Sequence, residues 1–150
     1  MKNYNTRKFT TIQIACVFIW IGFIASISFM EAWLKFKADG VTTQIGLSIG
    51  RLIFKALNTV ELSLAIIILV TLLLNKNSNL LKKLLLPFVI LVIQTFYLLP
   101  VLDERAIKII ANISVEKSYN HILYVLLELL KIITLILIGI QIIHKNEYKC

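Results

Sequence analysis

Three ionisable side chains stand inside stretches that otherwise resemble hydrocarbon: Glu61 within Ala56–Leu74, and Glu128 and Lys131 within Tyr124–Ile143. A charge held in a bilayer costs roughly 2.5–3.5 kcal/mol on insertion scales, so such residues turn inward, pair, or line water, and they mark ion, proton or solute chemistry. Helical rise brings these three to one level. Glu61 lies 13 residues from Leu74, and Glu128 and Lys131 lie 15 and 12 residues from Ile143. At about 1.5 Å per residue, all three sit roughly 20 Å deep. A Glu61–Lys131 ion pair between the second and fourth spans is the simplest consequence.

Spacing also selects faces. His121, Tyr124, Glu128 and Lys131 follow one another at intervals of 3, 4 and 3, an arc of about 80° at about 100° per residue. Arg51, Lys55, Asn58 and Glu61 follow at 4, 3 and 3, an arc of about 120°. Ser28 and Glu31 add polarity at the end of the first span; Gln94 lies near the middle of the third, with Asp103 and Arg105 at its end. The candidate ligand-binding residues are therefore Glu31, Arg51, Asn58, Glu61, Gln94, Arg105, His121, Tyr124, Glu128 and Lys131. Glu61 and Glu128 would titrate or bind a cation, Lys131 would be their counter-ion, and the others would line the approach. By contrast, Ile66–Leu74 and Ile132–Ile143 carry almost nothing polar. That asymmetry predicts a pocket open at one end over an apolar floor, rather than a channel. The competing expectation is a ligand-free polar network that fixes helix register.

The elements that position these residues follow from composition. The 150 residues are 59% hydrophobic and 16% charged, with a mean hydropathy of +0.86. Soluble domains carry about 25% charge. Disordered tails, disulfide frameworks and ordinary soluble enzymes are excluded. Four runs approach the 20 or so apolar residues that cross a bilayer. The first, Phe9–Met30, has 22 uncharged residues, too long for the apolar core of a cleaved signal, about 7–15 residues. The expected fold is all-α: a single-domain four-transmembrane-helix bundle with spans at about 9–30, 52–74, 84–102 and 121–143. No barrel-type alternation occurs.

The connections are short. Asp39-Gly40 predicts a turn, with Thr42 or Thr43 capping a second helix that starts ahead of its span. Pro87 falls in the first turn of the third span, and Pro100 should bend its far end. Ile107, Ile110 and Ile113 suggest a short interfacial helix within 103–120. Trp33 and Tyr124 read first as interfacial anchors. Gly46-x3-Gly50 fits a small-x3-small contact.

Basic residues orient the bundle. The N-terminal tail, the Asn75–Lys83 loop and the C-terminal tail hold Lys2, Arg7, Lys8, Lys76, Lys82, Lys83, Lys145 and Lys149 against Glu147 alone. The other side holds seven basic residues against five acids. The positive-inside rule then places both termini in the cytoplasm and the protein in the inner (plasma) membrane. The net charge of +8 is thus a matter of orientation; without a basic stripe interleaved with aromatics, nucleic acid is not an expected partner. The expected partners are the bilayer, a small polar ligand or cation, and a second copy or another membrane protein. No cofactor or metal site is expected, since no HExxH-type pair occurs. Cys16 and Cys150 form no CxxC. No Ser-His-Asp set, glycine-rich phosphate loop or Walker pattern is present.

The region Phe29-Met30-Glu31-Ala32-Trp33-Leu34-Lys35-Phe36, through Ile49-Gly50-Arg51-Leu52-Ile53-Phe54 to Asn58 and Glu61, resembles small uncharacterised bacterial four-span integral membrane proteins. The resemblance implies the four-span layout and no functional residues. Three functional expectations stand side by side: an outward pocket that binds or moves a small polar solute, ion or proton; a ligand-free scaffold or accessory subunit; and an intramembrane lipid-modifying enzyme using His121 or a glutamate.

Overall fold

The computed structural model describes residues 2–75 and 78–147. Lys76, Lys149 and Cys150 lie outside them; for Lys2, Lys145 and Glu147 only the backbone is described.

Four helical rods run up and down. The first comprises α1 (Lys2–Ile24), a π-helical stretch Ala25–Glu31, the single turn α2 (Ala32–Leu34) and a 3-10 turn Lys35–Lys37. The second is α3 (Thr43–Asn75). The third comprises α4 (Ser78–Ile93), a π-helical stretch Gln94–Leu98 and α5 (Leu99–Ile110). The fourth is α6 (Asn120–Glu147). The described residues contain no strand. Each rod holds a segment long and apolar enough to cross a membrane: Arg7–Lys37, Thr43–Asn75, Asn79–Ile110 and Asn120–His144. Large apolar side chains cover the outside, with Leu52 and Phe96 70% and 76% exposed. A water-soluble bundle would bury such a surface. The fold is thus that of an all-α, multi-pass membrane protein.

The rods are longer than the apolar runs alone suggest. Gly40 turns the chain at φ 79°, which glycine adopts without steric cost. The hydroxyl of Thr42 accepts a bond from the Ile45 amide at 3.3 Å, satisfying one of the first free N–H groups of α3. Pro87 lies inside α4 rather than in its first turn, because that helix already starts at Ser78. Pro100 stands in the first turn of α5. The wide π turn just before it accommodates the ladder bond that proline cannot donate. No separate interfacial helix forms: α5 runs on to Ile110, and Asn112 at φ 58° then leads into the irregular segment 113–118.

Packing divides the bundle lengthwise. α1 lies against α3 and α6. The third rod crosses between its neighbours, with α4 on α6 but α5 on α3 and only lightly on α6. In the half that carries the termini, Val17, Trp20, Ile24, Leu64, Ile68, Leu84 and Leu135 make a closed apolar core. Trp20 stacks on Phe88 with centroids 6.2 Å apart. In the distal half, where α5 leans away from α6, the bundle opens.

The glycine pair works within the chain. A Cβ on Gly46 would come within 2.1 Å of the Phe36 ring, and one on Gly50 within 2.9 Å of Lys35 Nζ. The absent side chains let the end of the first rod fold down against α3.

Candidate functional site

Two tiers of polar groups occupy the distal half. The deeper tier is fully buried. Glu61, Gln94, Glu128 and Lys131 are all 0% exposed. Lys131 Nζ lies 2.6 Å from Glu61 Oε1 and 3.2 Å from Glu128 Oε1, and donates to Gln94 Oε1 at 2.6 Å. Trp20 Nε1 donates to Glu61 Oε1 at 2.7 Å, and Gln94 Nε2 donates to Glu128 Oε1 at 2.9 Å. The predicted Glu61–Lys131 pair is therefore formed, and equal depth along the two helices is the reason. Gln94 joins because it opens the π turn of the third rod. Such wide turns recur at functional sites.

Trp20 was not foreseen. A tryptophan in mid-span, away from the aromatic rim, must find an acceptor for its N–H, and that requirement is legible in its position. Gln13, on the same face of α1, is similarly buried and donates to Thr71 Oγ1 at 3.1 Å.

The upper tier is a cavity of about 720 Å³. Its wall is built by the Ala32–Phe36 segment, α3 from Gly46 to Thr59, the third rod from Thr95 to Ile109, and His121 and Tyr124 of α6. Of the ten residues anticipated, Arg51, Asn58, Arg105, His121 and Tyr124 line it. Glu61, Gln94, Glu128 and Lys131 lie beneath it and do not contribute to the wall. Glu31 stands beside it, paired with Lys35 at 3.2 Å. The two polar stripes do not face one another along their length. Arg51 instead holds Asp103 of α5 through two bonds, at 2.6 and 3.1 Å, and Lys55 lies 3.3 Å from the same carboxylate. Asn58 Nδ2 donates to Thr95 Oγ1 at 2.8 Å. Only Glu61 reaches across to α6.

Tyr124 joins the tiers. It is not an interfacial anchor: it is 2% exposed, its ring meets Phe54 edge-on at 5.7 Å, and it forms part of the cavity floor. Trp33 stays at the surface and donates to Phe29 O at 2.8 Å.

The electrostatics of the wall are one-sided. Lys35, Arg51, Lys55 and Arg105 face Asp103 as the one acid among the lining residues. Arg51 and Lys55 share that acid, Lys35 is held by Glu31, and Arg105 takes part in none of the ion pairs among the described residues. Between these cations the wall is apolar, with Phe36, Leu47, Phe54, Leu99 and Leu102. Among the described residues, no three His, Cys, Asp or Glu groups converge as a metal site.

Fold and site together define a four-helix membrane protein with a cationic, apolar-walled cavity over a buried ion cluster. In comparisons with known proteins, no family, curated protein or solved structure matches the chain.

Proposed function

We propose that this protein binds, in a pocket facing away from the cytoplasm, a small solute that is anionic at one end and apolar at the other. The carrying observation is the unneutralised Arg105 beside the Arg51–Lys55–Asp103 group, in a cavity whose walls are otherwise mostly aromatic and aliphatic. Arginine presents a planar fork of donors suited to carboxylate and phosphate oxygens. The volume, about 720 Å³, falls in the range of about 300–1,000 Å³ typical of organic ligand sites. A lone ion would leave most of it unfilled. The bias of basic residues towards the termini supports cytoplasmic termini and an outward-facing cavity.

Dodecyl phosphate, inorganic phosphate and dodecylphosphocholine are suitable probes, titrated by native mass spectrometry against the full chain in neutral detergent. Dodecyl phosphate should bind best, and Arg105→Ala should weaken it about tenfold, or ~1.4 kcal/mol. Equal binding of all three probes, or no effect of Arg105→Ala, refutes the reading. The buried, hydrogen-bonded lower tier favours a structural role for Lys131 and Glu61 within the same protein, as a fixed floor on which the cavity stands.

A further inference from the structure

Charge in the lower tier does not balance. Glu61, Glu128 and Lys131 are the only charged side chains among the buried described residues. Facing them are Trp20 from the first rod, Gln94 from the third, and Tyr124 from α6 itself. Lys131 donates to Gln94 and Glu128 and lies in ion-pair contact with Glu61. One ammonium therefore serves two carboxyl groups. If both were ionised, a net negative charge would remain in a fully buried layer at membrane depth. Neutral donors such as Trp20 and Gln94 ease such a charge without cancelling it. An uncompensated buried charge costs several kcal/mol, and groups so placed neutralise instead.

The bonding pattern shows where neutralisation falls. Each glutamate has one oxygen, Oε1, in two close polar contacts, and a second, Oε2, that is buried without a hydrogen-bond partner. Glu61 Oε1 is held at 2.6 Å by Lys131 and 2.7 Å by Trp20. Glu128 Oε1 is held less closely, at 3.2 Å by Lys131 and 2.9 Å by Gln94. Closer charge-assisted contacts stabilise the ionised form more, and those of Glu128 are the longer. The Tyr124 hydroxyl is a further buried group without a hydrogen-bond partner. It stands one helical turn before Glu128, on the residue that floors the cavity.

We propose that Glu128 carries one proton on Oε2 that exchanges with water: in release the O–H bond at Glu128 breaks as one forms on a water oxygen, and uptake is the reverse. The site is a proton site independent of which solute fills the cavity above.

Infrared difference spectroscopy on the full chain in lipid bilayers at neutral pH tests this. A protonated-carboxyl stretch should be present and should shift in deuterated buffer. Glu128→Gln should abolish it. Glu61→Gln should abolish it too, because a single ammonium then faces a single carboxylate and Glu128 ionises. That second variant also covers the case in which Glu128→Gln fails to fold. A folded wild-type protein without the band, or a band that survives either glutamine substitution, overturns the proton site.

Discussion

The two halves of the bundle are built from the same four rods and do opposite things. Towards the termini, the rods close on Ile68, Leu72, Leu84 and Leu135, and the buried polar contacts described there are neutral, Gln13 with Thr71 and Thr71 with Ile68 O. Towards the distal end, α5 leaves α6 for α3, a cavity of about 720 Å³ opens, and ion pairs replace apolar contacts. The change falls near Gln94–Leu98, where a π turn re-aims the third rod. An apolar bundle is thus adapted locally: close packing holds the half that carries the termini together, and the π turns at Ala25–Glu31 and Gln94–Leu98 fall where the other half begins to hold polar groups.

Substitutions can break or sharpen that contrast. The largest effect should come from Lys131→Met, which strands the Glu61 carboxylate at 0% exposure. Removing one partner of a buried pair costs about 3–5 kcal/mol, measurable by thermal unfolding in detergent. Adding Glu61→Gln to Lys131→Met should recover most of the loss; if it does not, the cluster is not held by charge. Leu135→Ala, in the closed half, should cost about 2–5 kcal/mol. Leu102→Ala, in the cavity wall, should cost under about 1 kcal/mol, because no filled core is emptied. Equal costs at the two positions would erase the distinction between halves.

Smaller effects probe the upper tier. Gly46→Ala places a methyl within 2.1 Å of the Phe36 ring, which must swing aside. Overpacking of this kind costs about 1–3 kcal/mol, and because both residues line the cavity the change should also alter dodecyl phosphate binding. Weakest of all, Lys108→Ala breaks an exposed pair with Glu104 at 2.8 Å. Its stability cost should stay below about 1 kcal/mol and fade in salt.

The spans and the depth of the charged layer were legible in the sequence because helical rise is constant and hydrocarbon tolerates few polar groups. That is why Glu61 and Lys131 could be matched from separate segments. Lateral arrangement was not legible. Nothing in the Gln94–Leu98 residues announces a π turn, so the lean of α5 could not be foreseen, and Arg51 was read as lining the pocket without Asp103 as its partner. The Gly46–Gly50 spacing signalled a close approach without naming Phe36 and Lys35 as what approaches. Tyr124 looked like a rim residue because its depth was judged from the apolar run, whereas the helices extend past it at both ends.

Lys131 draws its ligands from three rods at once, and Trp20 of the remaining rod completes the set through Glu61. No two spans alone can satisfy that ammonium. An orphaned fourth span would carry Lys131 into the lipid with only Glu128 of its own helix as partner, its contacts with Glu61 and Gln94 unmade. The cluster thereby ties the four segments to one another: its full set of contacts exists only where all four meet.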